Sequence, residues 1–217
     1  HTPDDYYQKA INVSFIRIIR LLAFIVSIFT PALYIALTTH NQEALPLPFL
    51  LNFMAQRESV PFSALTEALF MSISFEILRE SDIRKQSSTG SAVSILGGLI
   101  LGDAAVSAGI ISPIMIIVIS ISAISGLAFS SQEMIASLRW LRFLMMFLAM
   151  FFGIFGIYIG FLFLLSSLVT TKALDYPFFV PFSPLVKEEL GDAIIKLRSS
   201  KRLKRNPLLT KNKKRGN

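Results

Sequence analysis

Long apolar runs separated by short polar links set the pattern along the chain. The first, residues 14–38, SFIRIIRLLAFIVSIFTPALYIALT, is long enough for a membrane crossing, which takes roughly 20 apolar residues. Arg17 and Arg20 lie near its start, where long basic side chains reach the headgroups. Pro31 lies inside it and withholds a backbone N–H, so a neighbouring helix is expected to cover the freed carbonyl. Residues 92–110 and 113–129 predict two more crossings joined at AGIIS, with Ser112 as N-cap and Pro113 as first helical residue. Residues 143–168 are the longest apolar run, Phe-rich and carrying Gly156-x-x-x-Gly160.

The segment 47–80 behaves differently. It reads as two helical pieces broken at Pro61, and 62–80 carries Glu67, Glu76, Arg79 and Glu80. At about 100° per residue, Ser63, Glu67 and Ser74 share one face, while Ser72, Glu76 and Arg79 fall on the opposite one. Polarity on two faces suits an amphipathic, re-entrant or protein-buried position rather than a lipid-exposed crossing. Gly90, Ser94, Gly98 and Gly102 recur every fourth residue, a small-residue ridge that admits a close helix neighbour, within the chain or between subunits. Pro31, Pro61 and Pro113 are the candidate hinges.

The resulting expectation is an all-α integral membrane protein with about four transmembrane helices plus amphipathic or re-entrant helices. Residues 1–13 are a juxtamembrane segment, 14–171 the transmembrane domain and 172–217 a basic tail with a short helix at about 184–198. The opening HTPDDYYQKA, without an initiator Met, reads as the inside of a longer chain or an engineered start.

Composition agrees: 53% of residues are hydrophobic, 19 are Phe, and mean hydropathy is +0.61. The net charge of +7 sits in the tail. Residues 172–217 hold 12 Lys and Arg against 4 acids, whereas residues 1–171 hold 9 against 10. A basic segment beside a crossing marks the cytoplasmic face and does not call for nucleic acid. Both ends then favour the cytoplasm, which an even number of crossings satisfies. Trp140 and Arg142 read as headgroup anchors, and membrane lipids as partners.

Little in the chain supports enzymatic chemistry. Cysteine is absent, and His40 has no second His or Cys nearby, so neither a metal nor a cofactor is expected. No nucleophile motif, P-loop or dinucleotide fingerprint occurs, and the serines lack a positioned base. The acids at membrane depth are the candidate polar or pore positions: Asp103, Glu67 and Glu76, with Ser74. Asp103 is the one formally charged residue between Ala92 and Ile119, and either packing against another helix or lining an ion pathway accounts for it.

Three stretches carry a resemblance: PALYIALTTHNQEALPLPFLL (31–51), QRESVPFSALTEALFMSISFEILRESDIR (56–84) and GSAVSILGGLILGDAAVSAGIISPIMIIVISISAISG (90–126). With LRWLRF (138–143) and DYPFFVPFSPL (175–185), they resemble the membrane half of GerA-family A subunits of spore germinant receptors and the related SpoVAF-type proteins. The resemblance implies a cytosolic domain before the membrane half and a homo-oligomer, a pentameric ring. It also implies a germinant-gated channel for monovalent ions, partnered by a transporter-like B subunit and a lipoprotein C subunit. The implied location is the inner membrane of the spore, with a cytoplasmic C-terminus. Asp103 stands where the family commonly has Gln, and KQSSTG (85–90) where it commonly has a Pro-containing link. A non-conducting scaffold of the germination complex and a nutrient-binding secondary transporter are the rival readings.

Overall fold

A computed structural model describes residues 10–84, 88–129, 132–173 and 176–177. Within them lie six α-helices: α1 (Ala10–Thr39), α2 (Leu47–Arg57), α3 (Ala64–Arg84), α4 (Ser88–Ser107), α5 (Pro113–Gly126) and α6 (Gln132–Thr170). A two-residue antiparallel pair follows, β1 (Lys172–Ala173) with β2 (Tyr176–Pro177), in register Lys172 to Pro177 and Ala173 to Tyr176. The helix expected at 184–198 lies outside the described residues.

The chain divides into two units, residues 23–160 and residues 1–22 with 161–217. The second holds the start of α1, the end of α6 and the β pair, with Val13 and Arg17 buried on α1. The first holds the site described below, and its helix ends follow from local chemistry. Pro61 lies in the link between α2 and α3. Gly109 ends α4 at φ +67°; its N–H reaches the Val106 carbonyl, and the Ile110 N–H reaches that of Ala105, a Schellman closure. Ser112 then caps α5, its Oγ accepting the Met115 N–H, with Pro113 at the first helical position.

The interior of residues 23–160 gathers Ile28, Ala32 and Ile35 of α1, Ala68 and Met71 of α3, Met115 and Ile119 of α5, and Leu138, Met145 and Met146 of α6. Helix α3 packs against both α4 and α5, and Glu67 and Ser72 of its polar faces are buried while Ser63 is exposed.

Among the described residues, two helices, α1 from Ile11 and α6 from Glu133, are long and apolar enough to cross a membrane; α5 is a shorter apolar helix. At 1.5 Å per residue α5 spans about 21 Å, less than the roughly 30 Å hydrocarbon layer.

Helix α6 differs from the straight run that hydropathy reads. Gly153 sits at φ +60°, ψ −142°, and the chain turns back there. In a straight helix residues 148 and 156 would stand about 12 Å apart, and 145 and 160 about 22 Å. Yet Gly156 lies against the Leu148 backbone, and Gly160 against the Met145 and Leu148 side chains. Hydropathy averages over such a turn because one glycine barely changes the apolar sum.

Candidate functional site

The apolar interior of residues 23–160 is interrupted at two levels by charged groups. The first level joins α2, α3 and α5. Glu67, in the first turn of α3, is only 1% exposed. Its Oε2 accepts the Ser112 N–H at 2.8 Å, and its Oε1 faces Arg57 Nη2 at 3.3 Å. A carboxylate here meets the unpaired N–H groups and positive dipole end of α5. Arg57 also lines an open cavity of about 440 Å³ with Thr38, Gln42, Phe53 and Met54.

The second level lies nine to twelve residues further along α3 and ten to fourteen along α5, about 14–18 and 15–21 Å away at helical rise. It begins with Pro31, which cannot donate to the carbonyl four residues before it, that of Ser27. Two helices supply donors instead. Arg142 Nε of α6 binds the Ser27 carbonyl at 3.1 Å, and Ser122 Oγ of α5 donates to it at 2.6 Å. Arg142 Nη2 adds a 3.1 Å bond to Ser27 Oγ. The carbonyl freed by Pro31 is thus covered by neighbouring helices, as the sequence leads one to expect.

Arginines crowd this level. Glu76 Oε1 pairs with Arg79 Nη1 at 3.1 Å and with Arg139 Nε at 3.0 Å. Gly126, near the end of α5, faces Ser27, Arg79 and Arg142. Expected as a headgroup anchor, Arg142 is instead 5% exposed and bonded inside the bundle, whereas Trp140 is 74% exposed. Two residues along a helix turn the side chain by about 200°, which places the pair on opposite faces.

The predicted positions separate accordingly. Glu67 and Glu76 enter the two charged levels, and Ser74 is half-buried between them on α3. Asp103 is exposed on α4. Of the small-residue ridge, Gly98 faces Phe75 and Leu78 of α3, and Gly102 faces Ile116 of α5; the surroundings of Gly90 and Ser94 lie outside the described residues. Pro31 is buried inside α1.

Sequence reading missed the loop that staples α6. The turn at Gly153 parts the Met150 carbonyl from the Ile154 N–H, which a straight helix would join. His40 Nε2 donates to the Met150 carbonyl, and Asn41 Oδ1 accepts the Ile154 N–H at 3.0 Å. Two consecutive loop residues thus replace one helical hydrogen bond. A polar His-Asn pair after a long apolar helix was its one trace in the sequence.

Comparison with known proteins adds the family. The model described as Bacillus/Clostridium GerA spore germination protein matches residues 1–208. The chain is 39% identical over 194 residues to spore germination protein KA of Bacillus subtilis strain 168, covering 89% of this chain and 36% of the relative. It is 38% identical over 193 residues to the uncharacterized membrane protein YfkQ of the same organism, covering 89% of this chain and 38% of the relative. To spore germination protein GerQA of Bacillus cereus it is 35% identical over 214 residues, covering 99% of this chain and 43% of the relative. The chain therefore spans about two fifths of the length of these relatives. No solved structure matches it.

Proposed function

Because this chain belongs to the GerA family of spore germination proteins, we propose that it is a membrane subunit of a germination receptor that contributes to an oligomeric, germinant-gated ion channel. Family membership carries the germination role. The membrane role is supported by an inverted distribution of polarity. Charged side chains meet one another inside the bundle, while Leu22, Ile25, Phe147, Phe151 and Phe155 are exposed on α1 and α6. Apolar surface on this scale suits lipid or neighbouring subunits, and interior charge at membrane depth is typical of functional membrane helices.

In this proposal α1, α4, α5 and the two arms of α6 lie in the inner membrane of the spore. Copies close into a ring, a pentamer by resemblance, beside B and C subunits, and the B subunit senses the germinant. Asp103 and Ser107 of α4 are exposed and one helical turn apart. Repeated around a ring, such a stripe makes a carboxylate collar that draws monovalent cations. Helix shifts carry the signal from the germinant-binding subunit to this collar.

The test is ion flux through the assembled receptor in vesicles, wild type beside Asp103→Asn. Germinant-dependent cation flux that falls in Asp103→Asn supports the reading. Normal assembly and germination with no flux under any activating condition assigns a scaffold role instead.

A further inference from the structure

Beside the first charged level, the end of α1 and the length of α2 border the open cavity of about 440 Å³, a volume inside the roughly 300–1,000 Å³ range of small-molecule sites. Leu50, Phe53 and Met54 of α2 form an apolar wall, and Thr38, Gln42, Arg57 and Glu58 supply the polar groups. A mostly apolar lining with a few polar groups to orient the occupant is the usual make-up of such a site.

The hydrogen bonding of those polar groups is one-sided. The Thr38 hydroxyl donates to the Tyr34 carbonyl at 2.8 Å, and Gln42 Nε2 donates to the Thr38 carbonyl at 2.8 Å. Arg57 directs Nη2 to Glu67 Oε1 at 3.3 Å and to the Phe62 carbonyl at 3.4 Å. These donors are engaged within the chain, whereas Thr38 Oγ1 and Gln42 Oε1 accept from no donor among the described residues. Glu58, exposed at the C-terminal end of α2, has neither an ion pair nor a hydrogen-bonded side chain among the described residues. Arg57 and Glu67 balance one another, so Glu58 leaves the cavity with one negative charge in excess.

We propose that this cavity binds a protonated primary amine that carries an apolar body. An ammonium group has three N–H donors and no acceptor, the complement of a cavity rich in unused acceptors. Its charge answers Glu58, and its apolar body covers Leu50, Phe53 and Met54. The aromatic ring of Phe53 in the wall favours a cation as well. An anion would meet the carboxylate of Glu58 and find Arg57 already paired. A free amine and the ethanolamine headgroup of a lipid share this chemistry. The inference is independent of conduction, since it concerns α1 and α2 and holds for a scaffold as well as for a channel subunit.

The experiment uses the purified full chain in a maltoside detergent, with ionic strength held constant by sodium chloride. One arm adds phenethylammonium chloride, with phenethyl alcohol as its neutral control. The other adds phosphatidylethanolamine to the micelles, with phosphatidylglycerol as control. In at least one arm the ammonium compound is expected to raise the thermal midpoint by about 5 °C near saturation, and its control to leave it in place. A rise with phenethylammonium alone identifies a free amine as the ligand, and with phosphatidylethanolamine alone a lipid headgroup. Glu58→Gln removes a charge that has no partner among the described residues, so it keeps the baseline midpoint and is expected to lose the rise. Ala55→Trp, at an exposed position on the cavity wall, fills the space and is expected to lose the rise too. No rise in either arm overturns the site, as does an equal rise with the control compounds or a rise that persists in Glu58→Gln.

Discussion

Pro31 and Arg142 act on the same oxygen: Pro31 withholds a helical donor from the Ser27 carbonyl, and Arg142, 115 residues after Ser27, supplies one at 3.1 Å. Because either a local N–H or the guanidinium can fill this role, the two positions should be energetically coupled. Arg142→Met leaves the Ser27 carbonyl with the Ser122 hydroxyl alone and takes the guanidinium from Ser27 Oγ, and is expected to cost about 1–2 kcal/mol. Adding Pro31→Ala restores the helical donor and should recover about 1 kcal/mol. A double-mutant cycle on unfolding in detergent measures that difference, and strict additivity would contradict the shared-acceptor account.

At the other charged level, Glu67 ties the starts of α3 and α5 together. Glu67→Ala strands both the Ser112 N–H and Arg57, and is expected to destabilise the chain by about 3 kcal/mol. Glu67→Gln keeps an acceptor for Ser112 and loses the ion pair alone, so its cost should be nearer 1 kcal/mol. Equal losses in the two variants, read from denaturation midpoints, would show that the backbone bond is not what matters.

Gly153→Ala should be among the most damaging single-methyl changes. The residue is at φ +60°, and a Cβ would stand 2.5 Å from Asn41 Oδ1 and 2.8 Å from His40 Cβ. Backbone strain with that clash predicts a loss of about 2–4 kcal/mol. Asn41→Ala, which only exposes the Ile154 N–H, should cost about 1 kcal/mol. Limited proteolysis at residues 150–156 provides a second readout, with faster cutting expected in both variants.

The small-residue positions should divide into two classes. A Cβ on Gly98 meets Leu78 and Phe75 at 3.6 and 3.7 Å, ordinary contact, so Gly98→Ala should be neutral or gain up to about 1 kcal/mol from helix propensity. A Cβ on Gly156 would collide with the Leu148 carbonyl, and backbone cannot swing aside as a side chain does. Gly156→Ala should therefore lose about 2–3 kcal/mol by forcing the two arms of α6 apart. Thermal midpoints of the two variants test the contrast.

Local rules made part of this architecture readable. Ser112 before Pro113 announced the start of α5, and Pro31 announced a carbonyl in need of an outside donor. The two polar faces of α3 left amphipathic, re-entrant and protein-buried positions open, and α4 and α5 pack against it. What stayed hidden depends on residues far apart in the chain. Nothing near Arg142 reveals that Ser27 awaits it, so its position beside Trp140 reads as an interfacial anchor. Nothing in the apolar run around Gly153 reveals a reversal, because its stabilising partners are His40 and Asn41. Gly156 and Gly160 signal a close neighbour by their size, and the neighbour is the preceding part of their own helix.

Helix α5 carries two polar fastenings ten residues apart, the Ser112 N–H on Glu67 and Ser122 on the Ser27 carbonyl, and, apart from Ser120, apolar side chains between them. Its resistance to sliding is therefore concentrated in two latches rather than spread along its length. A displacement of one residue, about 1.5 Å, would release both latches together, and no smaller step offers either one a new partner. Such a rod has detents: it stays seated under small pushes and moves in a single jump once both catches open.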